Sequence, residues 1–208
     1  MDDSGDDGTA PAALSDLLQG AVRHAGEQLS VFIERDVRLY GTVVSRPPVE
    51  RLPDLMRDAG RLVTAVYLAV EGHLEGHIVL LFAPEAAAAI AALLLGEPVA
   101  DPAALTPLEG STLGEVGNVT AASILNAIAT ARGLTVYPSP PVVMQDMIGA
   151  LLDAIVADMA LDAADALLLR TTLTIEGQAV QGDLLLLPNA ASRGRLEGAK
   201  GARRAVGV

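Results

Sequence analysis

The sequence predicts an α+β layer fold built from two copies of one unit. Three observations carry this. First, VTAVYLAVEGHLEGHIVLLFAP (63–84) and ALLLRTTLTIEGQAVQGDLLLLPN (166–189) match in outline. Each has an apolar strand, a Glu-Gly turn (Glu71-Gly72, Glu176-Gly177), a second glycine (Gly76, Gly182) and another apolar strand, which is a hairpin signature. Second, the helical pattern from Ala13 to Ile33 matches that from Thr112 to Ala131 at a similar spacing. Third, the offset is about 105 residues, which reads as a duplicated half rather than a short solenoid period. Hairpins with helices laid on a face make an α+β layer architecture.

The elements follow in order. Residues 1–10 are rich in Asp and Gly and read as a disordered acidic tail. A helix over 13–33 leads into a strand over 36–45. Pro47-Pro48 then breaks the chain, and a short helix covers Val49 to Ala59. The first hairpin joins 62–71 to 75–83. The apolar run from Ile78 to Gly96 is long enough to raise the question of a membrane span, but Pro84-Glu85 interrupts it. It reads as a strand, Ile78 to Phe82, then an alanine-rich helix over 85–95.

A proline-marked linker, Glu97 to Pro107, joins the halves. The second half opens with a helix over 108–132 and a strand over 134–138. A helix over 142–160 carries Val143, Met147, Leu151, Ile155 and Met159 at helical spacing, a stripe expected in the core. The second hairpin joins 166–175 to 180–187. Residues 191–208 shift to a basic, glycine-containing composition and read as a flexible tail. The organisation expected is one domain over 11–190, made of repeats at about 12–96 and 106–189.

Composition excludes several classes of function. The formal net charge is −12, which repels nucleic acid and anionic membrane surfaces. Aromatic residues make up 2 % and Trp is absent, so a base-stacking platform has no material. There are no cysteines, which removes disulfides, thiol nucleophiles and thiolate metal sites. The acidic N-terminus is the reverse of a secretory leader, and a cytoplasmic location is expected. The three histidines, His24, His73 and His77, offer no convergent metal set. His73 and His77 are expected to be solvated turn residues. No phosphate-binding glycine loop is present.

The most informative stretch is Ser111-Thr-Leu-Gly-Glu115-Val-Gly-Asn118. At about 100° per residue, Ser111, Glu115 and Asn118 form a polar stripe roughly 60° wide on a helix. Leu113, Val116, Thr120, Ile124 and Ile128 collect on the opposite face, the natural core side. The stripe therefore points outward, and Ala122 extends it with nothing larger than a methyl group. Gly114 and Gly117 sit inside this helix at about 1 kcal/mol each relative to alanine, a cost that points to close approach of a neighbour. Exposed Glu and Asn on a helix are also ordinary solvated residues.

This stripe resembles the active-site helix of the CheC/CheX/FliY chemotaxis phosphatases. The family pattern is Asp or Ser, three residues, Glu, two residues, Asn, then a proline somewhat over 20 residues later. Ser111, Glu115 and Asn118 match it in order and spacing, and Pro141 or its neighbour Pro140 supplies the proline. Residues 106–189 resemble the second half of a CheC protein and 12–96 the first half. The resemblance implies pseudo-twofold symmetry and a six-stranded, mainly antiparallel sheet with long helices packed on it.

It also implies an activity: hydrolysis of the phospho-aspartate of the response regulator CheY. Asn118 would orient water and Glu115 would pair with the regulator's lysine. Ser111 would border the contact and cap or hydrogen-bond at the helix start. The proline would fix the neighbouring loop. No cofactor of its own is implied; Mg²⁺ is expected in the regulator. The alternative is a non-catalytic adaptor that binds the receptor deamidase CheD, phospho-CheY or both. The CheD surface would lie around Asp146 to Asp153, acids that read equally well as a solvated face. A monomer is expected. The first half departs from the pattern: Asp16 stands at the Glu position, Gln19 at the Asn position and Ala12 at the preceding one. It is expected to be a degenerate site.

Overall fold

The computed structural model describes residues 10–48, 51–52, 60–159 and 165–197. Helix α1 (Ala12–Ile33) leads to strand β1 (Val37–Ser45), then the hairpin β2 (Leu62–Gly72) and β3 (Gly76–Phe82), then helix α2 (Pro84–Leu95). The second half runs α3 (Pro107–Arg132), β4 (Val136–Pro138), β5 (Val142–Met147), α4 (Ile148–Met159), β6 (Leu167–Ile175), β7 (Gln178–Pro188) and α5 (Ala190–Glu197). The helix expected over Val49 to Ala59 lies outside the described residues apart from Arg51 and Leu52, and Leu52 is buried.

The sheet is antiparallel throughout, in the order β1-β6-β7-β3-β2-β4, with β5 also paired to β2. β4 and β5 occupy one position. β4 pairs with Val70 to Gly72 and β5 with Leu62 to Tyr67, so they are two stretches of a single interrupted edge strand. Counted by position the sheet is six strands wide, as expected.

A pseudo-twofold axis passes between β3 and β7. Gly76 faces Pro188 and Phe82 faces Gly182, so the two strands exchange equivalent positions about Val79 opposite Leu185. Each edge strand belongs to the other repeat's hairpin: β1 pairs β6, and β4–β5 pairs β2. Neither half can complete its sheet alone.

Both faces of the central strands are covered, which is why they read as unbroken apolar runs instead of alternating ones. Leu68, Ile78, Leu80, Leu184 and Leu186 face one core with α1, α2 and α3. Val63, Ala65, Val79, Leu81, Leu185 and Leu187 face a second core closed by Ile148, Leu151 and Leu152 of α4. At the second hairpin, Glu176 and Gly177 both take positive φ, 49° and 84°. That is the two-residue primed turn that suits strand twist. The first hairpin instead loops through His73 to Glu75 after Gly72.

Two expectations are corrected. The helix expected over 142–160 begins only at Ile148; Val142–Met147 is strand β5. A spacing of four is an even number, so Val143 and Met147 share a face in a strand as they would in a helix. The open edge of β2 decides between them. Leu151 is buried and Ile155 half-buried, but Met147 is exposed, so the methionine stripe is not continuous core. The tail expected over 191–208 starts as helix α5, whose Leu196 is buried in the core beside α3. Residues 198–208 and 1–9 lie outside the described residues, while Ala10 is buried.

Candidate functional site

The polar stripe lies on α3, and the start of that helix is firmly set. Thr106 is the N-cap: its side chain accepts from the Glu109 backbone N–H, and the Glu109 carboxylate accepts from the Thr106 N–H at 2.6 Å. This is a capping box, with Pro107 in the first turn. Ser111 therefore does not cap the helix. It lies inside α3 and is exposed.

The two glycines seat the helix. A β-carbon at Gly117 would fall 2.4 Å from Val66 Cγ1 of β2, so α3 rests on the sheet where no side chain fits. A β-carbon at Gly114 would lie 3.5 Å from both Pro141 Cγ and Val143 Cγ2. The close approach expected of this helix is thus made to β2 and to the broken edge strand. Leu113, Val116, Thr120, Ile124 and Ile128 are all buried, the core face expected.

Pro141 owes its place to a bulge. Val70 pairs Pro138 and Tyr67 pairs Val142, so two residues of β2 face three of the edge strand. Ser139 patches the gap: its N–H donates to Ala69 O at 2.8 Å and its hydroxyl accepts from Ala69 N–H at 2.9 Å. The prolines that follow need no ladder donor, and an edge tolerates them. The bulge turns Pro141 toward α3, the re-aiming such irregularities produce. Pro140 is exposed and Pro141 half-buried, so Pro141 is the proline that touches the helix.

Glu115 is exposed and Asn118 half-exposed, one turn apart. Neither makes a side-chain hydrogen bond or ion pair with another described residue. Beside them a groove of about 580 Å³ is lined on α3 by Gly110, Ser111, Gly114 and Glu115. Leu105 to Pro107 of the linker and helix start, and Pro141 with Val143 to Gln145 of the edge strand, complete the lining. Asn118 lies just beyond it. A carboxylate and a carboxamide held this way can accept one hydrogen bond from a cation and both donate to and accept from a water.

Sequence reasoning missed Gln145, because it placed that residue on a helix. On β5, Gln145 spans three elements. Its amide nitrogen donates to Thr64 Oγ1 at 3.0 Å and to Pro102 O at 2.8 Å, and its oxygen accepts from Leu105 N–H at 3.0 Å.

The first-half counterpart differs. Asp16 is exposed, but Gln19 is half-buried and donates to Ser15 Oγ at 3.2 Å. The histidines are not simply solvated. His77 is half-buried with Nδ1 2.6 Å from the Tyr67 hydroxyl, and His73 Nδ1 accepts from Thr135 N–H at 2.9 Å. Among the described residues there is no cluster of three His, Asp or Glu that could hold a metal, and no helix long and apolar enough to cross a membrane. Of the acids expected to mark a CheD surface, Asp146 lies on β5 and Asp153 on α4, both exposed.

Residues 108–144 match the CheC-like family, a span that holds the whole stripe and Pro141. The chain is also 26 % identical over 183 residues to the CheY-P phosphatase CheC of Bacillus subtilis, covering 86 % of this chain and 88 % of that one. By family match and by this relative alike, the chain resembles the CheC/CheX/FliY family. Its fold is that of Thermotoga maritima FliY, with TM-score 0.71 and 19 % identity over 91 % of this chain and 96 % of that one. CheX in its complex with CheY, BeF3 and Mg²⁺ from Borrelia burgdorferi aligns with TM-score 0.52 and 17 % identity, over 83 % and 98 %. For this CheC-like chain, α3 is the element in which the family match, the outward polar stripe and the groove coincide.

Proposed function

We propose that this protein accelerates hydrolysis of the phospho-aspartate on a CheY-type response regulator in the cytoplasm. The observation that carries the reading is the pair Glu115 and Asn118. They stand one turn apart on the helix that matches the CheC-like family, without a side-chain partner among the described residues. The name of the Bacillus subtilis relative and the CheX–CheY complex support a phosphorylated regulator as substrate.

The reaction asks little covalent chemistry of this chain. Water attacks phosphorus, the bond from phosphorus to the aspartyl oxygen breaks, and aspartate and inorganic phosphate result. Such transfer depends on positioning and charge stabilisation. The regulator carries the metal ion and the lysine that neutralise the phosphoryl group. Glu115 accepts a charge-assisted hydrogen bond from that lysine and so registers α3 against the regulator. Asn118 then holds the water in line, accepting from it with its carbonyl and steadying the phosphoryl side with its N–H. Ser111 and Pro141 border the contact.

The test is phosphate release from a regulator phosphorylated with a small-molecule donor. Asn118→Ala is expected to lower the stimulated rate about a hundredfold or more, the scale on which misplaced nucleophiles cost rate. Its thermal midpoint should stay near wild type, because the side chain supports no other group among the described residues. Stimulation unchanged in the variant would remove Asn118 from the mechanism. Binding of regulator without any stimulation by the wild type would leave an adaptor in place of a phosphatase.

A further inference from the structure

The α2–α3 linker reaches the groove as irregular chain, and a segment of that kind needs side-chain partners to hold one conformation. Gln145 supplies them. Its backbone is fixed in the β5–β2 ladder directly opposite Thr64. Both N–H donors and the oxygen of its carboxamide are engaged, and both linker contacts, to Pro102 O and Leu105 N–H, come from this one group. Leu105 immediately precedes the Thr106 cap, so the tether fixes the wall of the groove just before α3 begins. Gln145 itself lines the groove, so it ties the linker side of the lining to the edge-strand side. Glu115 and Asn118 are held differently, through Gly114 and Gly117 against the edge strand and β2.

We propose that Gln145 is a positioning residue that sets the width of this groove for docking of the phosphorylated regulator, while the chemical step is left to α3. The inference rests on the proposed phosphatase reading and deepens it. Removing the carboxamide frees the linker wall and leaves α3 on its glycine seat. Docking suffers and turnover of the docked complex does not.

The test uses the full chain with a CheY-type regulator phosphorylated by phosphoramidate. Gln145→Ala is expected to raise KM about five- to tenfold with kcat within about twofold, since an unfixed segment must be ordered at each encounter. Amide exchange at Leu105 should quicken by tenfold or more in the same variant, which reads the tether without any activity. Thr64→Val serves as control. It removes a buried hydroxyl partner on the sheet side and keeps both linker bonds, so its KM should stay at wild type whatever it does to stability. An active wild type whose Gln145→Ala variant keeps its KM, or a Thr64→Val variant whose KM rises equally, overturns this inference alone. A wild type without phosphatase activity overturns the proposed function and this inference together, whatever the Leu105 exchange rate shows.

Discussion

Gly117 of α3 sits against Val66 of β2 with no room for a side chain: a β-carbon there would lie 2.4 Å from the Val66 Cγ1. Gly114, one turn earlier, has ordinary clearance, 3.5 Å to Pro141. The two glycines therefore answer differently to alanine. Gly117→Ala forces the helix off the sheet and is expected to cost about 1–3 kcal/mol, the usual scale of overpacking. Adding Val66→Ala should recover part of that loss. Gly114→Ala should hold or raise stability by up to about 1 kcal/mol, the helix-propensity gain. Urea denaturation of the three variants checks this; equal losses at 114 and 117 would remove the seating argument.

Much of the fold was legible because apolar spacing and turn chemistry are local. Both hairpins, α1 and α3 were read within one or two residues, and so was the outward direction of Glu115. What failed was settled by distant partners. Val142–Met147 fits a helix or a strand by its own spacing, and only the unpaired edge of β2 makes it a strand. The bulge that aims Pro141, and the clamp made by Gln145, both depend on that pairing and were out of reach with it. Helix α5 was hidden by its basic, glycine-containing composition. The repeat itself held the clue: after the first hairpin comes α2, so a helix is due after the second, with buried Leu196 in the place of buried Ile90.

That correspondence makes α5 part of the domain. Leu196 is 2 % exposed. The helix is also fastened to the first hairpin: Ser192 Oγ accepts from Glu75 N–H at 2.7 Å, and Asn189 N–H donates to Glu75 O at 2.9 Å. Leu196→Ala is expected to cost about 2–4 kcal/mol, as for other buried leucines. A free tail would give no change. Thermal or urea unfolding separates the two outcomes, and Gly194→Ala, at an exposed neighbouring position with open space for a β-carbon, serves as the mild comparison.

Glu115 carries the electrostatic half of the proposed contact. Its carboxylate has no ion-pair partner among the described residues, so neutralising it should leave folding untouched. Glu115→Gln is expected to lower kcat/KM for the phosphorylated regulator at least about tenfold, since a hydrogen bond to a charged group is worth about 1.5–3 kcal/mol. The wild-type rate should fall with added salt, and the variant's should fall less, because screening acts on the charge that has been removed. Equal salt slopes would argue against a Glu115–lysine pair.

The first-half stripe is expected to contribute nothing to the rate. Gln19 is already bonded to Ser15 within its own helix, and Asp16 is one methylene shorter than glutamate. The neighbouring strand differs as well. At the level where Val142 pairs Tyr67 beside the Pro141 bulge, β1 runs regularly, with Leu39 opposite Leu173. Its own irregularity falls later, between Val43 and Ser45. No proline is turned toward α1 there. The double variant Asp16→Ala, Gln19→Ala should therefore dephosphorylate the regulator at the wild-type rate. The swap Asp16→Glu, Gln19→Asn should fail to rescue an Asn118→Ala chain, because side chains of the right length would still lack the bulged strand beside them. Phosphate release measured on these variants decides the matter, and a rescue above about a tenth of wild-type activity would show that α1 needs only the two side chains to work as α3 does.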